Sequence, residues 1–148
     1  MPLLRAALSW NFVLATAICA SLLAQLIKVL LNLFIFHRFI AERMWGAGGM
    51  PSSHSATVCA MVVATGRYCG VNSPIFAIAA VLSIIVMYDA MGVRYETGEQ
   101  AKVLNRMFTE WMDQGFEQFQ LPHGKKLKEM VGHTPIEVVT GAALGIVL

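Results

Sequence analysis

The residues from Ala6 to Ile27 carry no charged side chain, and this run limits the fold more than any other feature of the sequence. A membrane-spanning helix needs about 20 predominantly apolar residues, so the run is long enough to cross a bilayer. The whole chain of 148 residues is 57% hydrophobic and 14% charged, which is too apolar for a water-soluble domain. We therefore predict an all-α, polytopic integral membrane helical bundle.

The distribution of charge predicts about four membrane helices and one amphipathic surface helix. The membrane helices cover residues 6–36, 51–68, 74–93 and 135–148. The last segment is too short to cross fully, so it is either a partial helix or a truncated one. Between the third and fourth segments, apolar residues recur at helical spacing and predict an amphipathic helix on the membrane surface or against the bundle; they are Val103, Leu104, Met107, Phe108, Trp111 and Met112. We expect residues 1–148 to form one domain, because no linker or repeat interrupts them.

The stretch 48–56, Gly-Gly-Met-Pro-Ser-Ser-His-Ser-Ala, has the composition of a helix start that holds an anion. Pro51 suits the first turn of a helix, where its missing N–H costs nothing. Ser52 and Ser53 place hydroxyls beside the free amides of that turn, which attract phosphate-like groups. His54 adds a group that exchanges a proton near neutral pH. An ordinary N-capped helix with a flexible entry explains the same residues, and both interpretations stay open.

A second helix start, at residues 132–137, follows the same pattern. Pro135 marks the first turn, and His133 and Glu137 share one face if that turn is regular. A carboxylate that accepts one imidazole N–H would fix the tautomer and leave the other nitrogen as a nucleophile. The alternative is a helix-start histidine with an acidic residue near the positive end of the helix dipole.

Lys28 is a charged residue within the first predicted helix. It shares a helix face with Ser21, Gln25 and Asn32. A lysine in a membrane is costly unless it faces a polar interior or reaches the interface, so Lys28 is either a functional residue or an interfacial one.

If the helices alternate in direction, one side of the membrane holds most of the positive charge. That side carries Arg38, Arg43, Arg94, Lys102, Arg106, Lys125, Lys126 and Lys128, whereas the other has Arg5 and Arg67. The positive-inside rule makes the crowded side cytoplasmic. The same alternation brings the candidate chemical residues to that side, where they can converge: His54, Asp89, Arg94, His133 and Glu137.

Four motifs occur in a fixed order along the chain. They are the stretch 48–56 quoted above, Tyr-Asp-Ala-Met-Gly-Val-Arg at 88–94, Gly-Glu-Gln-Ala at 98–101 and Gly-His-Thr-Pro-Ile-Glu-Val at 132–138. With this ordered set the chain resembles the divergent branch of the type-2 phosphatidic acid phosphatase family, which is related to vanadium haloperoxidases. The resemblance covers nearly the whole chain, from about Gln25 to Gly145.

The resemblance implies a role for each matching residue. His133 would attack phosphorus, Glu137 would orient His133, and His54 would protonate the leaving oxygen. The implied phosphate-binding residues are Lys28, Ser52, Ser53 and Arg94, with Gly49 and Asp89 in support. The chain departs from the superfamily pattern, because Ser53 replaces a glycine, Glu137 replaces an aspartate, and the arginines of the first and third motifs are missing. Arg94, Lys126 or Lys128 would substitute for them, and we include Lys128 among the phosphate ligands.

These observations predict that the chain is a membrane phosphatase, which hydrolyses a lipid phosphate or another phosphomonoester through a phosphohistidine. The alternative is a membrane protein that binds or transports an anionic lipid or a small anion without cleaving it. We expect no cofactor, although Asp89, Glu96 and Glu99 could bind a metal ion if they converged. The expected partners are membrane lipid and the phosphorylated substrate, with no nucleic acid. The superfamily core that the chain resembles has six membrane helices, so either a homodimer or a further C-terminal part would supply the others. The expected location is the bacterial plasma membrane, with the site on the cytoplasmic side.

Overall fold

A computed structural model describes residues 11–36, 49–114, 126–129 and 131–148. All regular secondary structure in these ranges is helical. The five helices are α1 (Phe12–Phe36), α2 (Ser53–Cys69), α3 (Pro74–Met91), α4 (Val93–Asp113) and α5 (Pro135–Val147). The predicted all-α class is thereby confirmed. The predictions for Arg5, Arg38, Arg43 and Lys125 lie outside the described residues.

Helix α2 is the centre of the bundle, because α1, α3 and α5 all pack against it. The core between these helices is made of small side chains, namely Ala20 and Ala24 of α1 and Ala56 and Ala60 of α2, with Leu144 packed against them. Small residues let helix backbones approach closely, which is the usual way that helices associate where hydrophobic burial offers no driving force.

The large apolar side chains of the bundle point outward. On α1 the exposed ones include Leu14, Ile18, Leu22, Leu26, Leu30 and Leu33, and on α3 they include Ile75, Ile78, Val81, Leu82, Ile84 and Ile85. An apolar surface of this extent is unsuited to water and suits a bilayer. Two stretches within the described residues are long and apolar enough to cross a membrane, Phe12–Phe34 and the apolar part of Pro74–Asp113. The fold is therefore that of an all-α membrane bundle.

Helix α5 lies against α2 at the distance of direct backbone contact. A Cβ atom on Gly141 would overlap the Ser52 carbonyl oxygen, and one on Gly145 would overlap the Ala56 carbonyl oxygen and lie 2.9 Å from the Ala60 nitrogen. Gly141 and Gly145 are four residues apart and so lie on one face of α5. This Gly-x-x-x-Gly face fixes how α5 sits on α2.

Helix α1 begins at Phe12, where the Asn11 side chain accepts the Leu14 N–H, and residues 6–10 of the first predicted helix lie outside the described residues. The boundaries of two other helices differ from the predicted ones. Helix α2 begins at Ser53 and not at Pro51, because the Ser52 hydroxyl accepts the Ser55 N–H and acts as the N-cap. Helix α3 ends at Met91, because Gly92 interrupts the helical conformation before α4 starts.

Helix α4 is amphipathic, as predicted, but it packs through its small and polar residues. Its buried residues are Gly98, Ala101 and Asn105, whereas Val103, Leu104, Met107 and Met112 are exposed. The Asn105 amide group holds the segment 126–129: its Oδ1 accepts the Leu127 N–H at 2.9 Å, and its Nδ2 donates to the Leu127 carbonyl at 2.9 Å and to Glu129 Oε1 at 2.8 Å. The segment before α5 is thereby fixed to α4.

Candidate functional site

Two backbone hydrogen bonds bring three helix ends together. The Ser52 N–H donates to the Glu137 carbonyl at 2.9 Å, which joins the start of α2 to the start of α5. The His133 N–H donates to the Ala90 carbonyl at 3.0 Å, which joins the segment before α5 to the end of α3. The motifs that contain His54, Asp89 and His133 therefore meet at one end of the bundle.

His133 is held at this junction by Glu137. Its side chain is only 3% exposed, and its Nδ1 lies 3.1 Å from Glu137 Oε2. The residue precedes the N-cap Thr134 and so lies outside α5 instead of on its face, and the contact forms because Glu137 reaches back to the start of the helix. The same Glu137 oxygen accepts the Thr134 N–H at 3.1 Å in a capping box. The hydrogen-bond geometry assigns the imidazole proton to Nδ1 and leaves the Nε2 lone pair free.

Burial also keeps the His133 ring uncharged. Removal from water lowers the pKa of His133 from its ordinary value of 6.5, and the hydrogen bond and negative charge of Glu137 oppose this effect without cancelling it. The positive charge of Lys28 lowers the pKa further. The ring is therefore neutral at neutral pH, which is the state that a nucleophile needs.

His54 faces His133 from the first turn of α2. The two ring centroids are 6.3 Å apart, and the ring planes are inclined by 61°. His54 is exposed whereas His133 is buried, so the two imidazoles differ in their access to solvent. One ring is thus suited to exchange protons with water and the other to react inside the bundle.

Lys28 lies inside the bundle, directed at the same junction. Its side chain is 2% exposed and runs along Gly49, where a Cβ atom would lie 3.5 Å from the lysine Cδ. Gly49 has φ +88°, a conformation that side chains other than glycine rarely adopt. The Lys28 charge acts on both histidines and on Glu137. The interfacial alternative therefore does not describe Lys28, since its side chain is buried away from lipid.

Arg94 and Asp89 form an ion pair beside His54. Arg94 Nε lies 2.6 Å from Asp89 Oδ2, and both side chains are partly exposed. The Arg94 charge also acts on the His54 ring. Asp89 therefore restricts the position of the arginine, and no other described residue occupies its remaining guanidinium N–H groups, which can bind another anion.

The first turn of α2 offers fewer donors than the sequence suggests. The Ser52 N–H is bonded to Glu137, and the Ser52 hydroxyl accepts from the N–H and the hydroxyl of Ser55. Within the described ranges, the amides of Ser53 and His54 have no acceptor. Ser52 thus builds the helix start, and the following two amides are the ones that can hold an anion.

Within the described ranges, no hydrogen bond or ion pair joins the remaining predicted lysines and glutamates to His54 or His133. Lys128 and Lys126 are exposed, in the segment that Asn105 holds. Among the described histidines, cysteines and acidic residues, no three lie close enough together to hold a metal ion, so Asp89, Glu96 and Glu99 do not form a metal site.

Three residues that shape the site were not predicted from the sequence: Asn105, Gly141 and Gly145. The spacing of Gly141 and Gly145 is visible in the sequence and indicates close helix packing. No local pattern points to Asn105, because its partners are about twenty residues away in the chain.

The fold and the paired histidines define a class, an all-helical membrane protein of the PAP2 type. The chain belongs to the Divergent PAP2 family, whose sequence profile matches residues 9–148. It is 38% identical over 144 residues to the "Uncharacterized membrane protein YuiD" of Bacillus subtilis (strain 168), an alignment that covers 93% of this chain and 91% of the relative. No solved structure shows significant similarity to the chain.

Proposed function

We propose that the protein is a membrane phosphatase that hydrolyses a phosphomonoester, in the first instance a lipid phosphate, through a phosphohistidine intermediate. The observation that carries this proposal is the arrangement of His133, with its Nδ1 bound to Glu137 and its ring 6.3 Å from that of His54. The reaction needs an approach of about 3–3.5 Å between His133 and phosphorus and a hydrogen bond of about 2.6–3.2 Å from His54 to the leaving oxygen, so the phosphoryl group would bind beside both rings.

In the first step the Nε2 lone pair of His133 attacks phosphorus. The N–P bond forms as the P–O bond to the leaving group breaks, and the leaving oxygen takes a proton from His54. In the second step water attacks the phosphohistidine, His54 takes the proton from water, and inorganic phosphate leaves as the N–P bond breaks. Glu137 stabilises the imidazole while it carries the phosphoryl group.

Positive charge around the phosphoryl oxygens comes from three elements of the bundle. Lys28 supplies a buried ammonium from α1, Arg94 supplies a guanidinium from α4, and the amides of Ser53 and His54 supply neutral donors from α2. Donors fixed in advance, in a site with little water, stabilise transition-state charge more than mobile ones do. Lys28 and Arg94 would do the work of the missing arginines, while Lys128 stays a predicted ligand.

Phosphate release by the purified full-length chain tests the proposal directly. We expect release from at least one member of a panel that contains phosphatidic acid, lysophosphatidic acid, a polyprenyl diphosphate and soluble phosphomonoesters. The control is the same preparation with His133→Ala. If the wild type releases no phosphate from any of them, a protein that binds or transports anions becomes the better description.

The pH dependence of phosphoenzyme formation follows from the lowered pKa of His133. Because the folded protein keeps this ring neutral below pH 6.5, formation stays fast as the pH falls through 6.5 and is lost only when His133 protonates at a lower pH. Glu137→Gln should move the inflection to still lower pH, since the carboxylate raises the pKa of His133. Rapid-quench measurements with an aryl phosphate give the inflection, with Glu110→Gln as control. An inflection above 6.5 would contradict the assignment.

We also place the site on the cytoplasmic side of the bacterial plasma membrane. The positive charges of α4 and of the segment 126–128 support this orientation, and the relative from Bacillus subtilis is a membrane protein. In a cysteine-less variant, Asn72→Cys in the turn between α2 and α3 should react with an impermeant maleimide from outside intact cells. Gln114→Cys after α4 should react only after lysis. The reverse pattern would invert the orientation.

A further inference from the structure

A cavity of about 140 Å³ lies between α4 and the segment that leads into α5. It shares part of its wall with the candidate site, because Gly49, Thr134 and Glu137 line it. Gly49 also contacts Lys28, and Glu137 holds His133. The cavity is therefore a neighbour of the place where the phosphoryl group would react, and a molecule bound through its phosphate can extend into it.

Charged side chains form one part of the wall of this cavity. This part contains Glu99, Lys102 and Glu129. Lys102 Nζ lies 2.6 Å from Glu99 Oε1, and Glu129 Oε1 accepts a hydrogen bond from Asn105 at 2.8 Å. These three side chains carry two negative charges and one positive charge, which leaves this part of the wall with an excess of negative charge. The hydrogen bond from Asn105 fixes Glu129 in place, so its charge is held at the cavity.

The cavity and the candidate phosphate ligands thus have opposite electrostatic character. Lys28 and Arg94 provide positive charge for the phosphoryl oxygens, whereas the wall formed by Glu99 and Glu129 repels an anion. The same carboxylates interact favourably with a polar substituent, because an unpaired carboxylate against hydrocarbon is costly. The group that fits is polar and carries hydroxyl or amine donors.

We propose that this cavity is a subsite for the polar group next to the phosphate of the substrate, an inference that rests on the proposed function. The subsite favours a neutral or cationic group over an anionic one. Glu129 and Glu99 accept hydrogen bonds from its hydroxyl or ammonium group, and Lys102 limits the excess of negative charge. The substrate class is a phosphomonoester with an alcohol or amine substituent near the phosphate. Both a lipid phosphate and a small soluble ester can have this chemistry.

Three soluble phosphomonoesters of similar size separate the charge preference from other effects. They are phosphoethanolamine, propyl phosphate and 2-phosphoglycolate, which place a cation, a neutral methyl group and an anion at the same distance from phosphate. Binding to the full chain is measured in a His133→Asn background, where the nucleophile is absent and ligands are not consumed. We expect affinity to fall from the cationic to the anionic ester by about two- to fivefold per partly exposed carboxylate.

Substitutions on the charged wall should change this order in opposite directions. Glu129→Gln keeps an acceptor for Asn105 and removes the charge, so the preference for phosphoethanolamine over 2-phosphoglycolate should shrink about two- to fivefold. Lys102→Gln should increase that preference. The matched control is Glu110→Gln, an exposed change on α4 away from the cavity wall, which should leave the preference unaltered.

A parallel series in phosphatidylcholine vesicles compares an amino lipid phosphate with phosphatidic acid. If the charge order appears only in vesicles, the ligand is a lipid phosphate; if it appears with the soluble esters, the ligand is a small phosphomonoester. A Glu129→Gln variant with unchanged preference in both series would overturn the subsite. In that case phosphate release by the wild type would still leave the proposed function standing, whereas absent binding and absent release together would overturn both.

Discussion

His133→Ala is expected to abolish phosphate release and to prevent any covalent phosphoenzyme. Glu137 holds the Nδ1 of the buried His133, which leaves Nε2 for the proposed attack, and loss of a catalytic nucleophile costs on the order of 10³ to 10⁶-fold in rate. Steady-state assays measure the first effect, and trapping with radiolabelled substrate under alkaline conditions measures the second. Both should disappear together, with the helical circular dichroism unchanged.

His54→Ala should give a different result because His54 acts on the leaving group. General acid catalysis contributes about 10² to 10⁴-fold, and it matters least when the leaving oxygen is already weakly basic. An aryl phosphate should therefore still form phosphoenzyme in this variant, while an alkyl phosphate should not. Equal losses with both substrates would contradict the assignment of His54 as the acid. Undiminished phosphate release by His133→Ala would exclude a phosphohistidine at that position.

Gly141→Val is expected to separate α5 from α2 and to lower stability and activity together. A side chain at this position meets the Ser52 carbonyl, which is backbone and cannot move away as a flexible side chain would. Inserting extra atoms into a well-packed contact typically lowers the free energy of unfolding by about 1–3 kcal/mol. Because the clash here is with backbone, we expect a loss at or above the upper end of that range. Thermal unfolding in detergent should show a clear fall in midpoint temperature.

The matched control for this change is Ala143→Val, two residues away on the exposed side of the same helix. It introduces the same side chain at an exposed position, so its midpoint temperature and activity should stay near those of the wild type. If both variants unfold at the wild-type temperature, the close approach of α5 and α2 does not contribute to stability as described.

Much of the fold could be predicted from the sequence because charge is absent from long stretches. The starts of α3 and α5 were predicted at Pro74 and Pro135, since proline in the first turn follows a capping residue in both. The start of α2 was misplaced because two residues could end the loop, Pro51 or Ser52. The hydroxyl of Ser52 decides between them by accepting the Ser55 N–H.

The candidate site could be predicted as a set of residues but not as a geometry. Alternating helix directions were enough to place His54 and His133 at one end of the bundle. Their approach to 6.3 Å depends on the Ser52 to Glu137 backbone bond and on close contact at Gly141, which are tertiary interactions. Such contacts depend on the packing of whole helices, so local spacing in the sequence does not specify them.

The backbone bond between Ser52 and Glu137 has a consequence for how the protein responds to its bilayer. A membrane that becomes thicker or thinner changes the tilt of the helices that cross it. Because that bond and the glycine contacts join α2 to α5, both imidazoles tilt as one unit and keep their separation. Lys28 belongs to α1, which packs on α2 through small side chains but, among the described residues, has no backbone hydrogen bond to it. Changes in lipid composition should therefore alter the affinity for phosphate before they alter the chemistry between the two histidines.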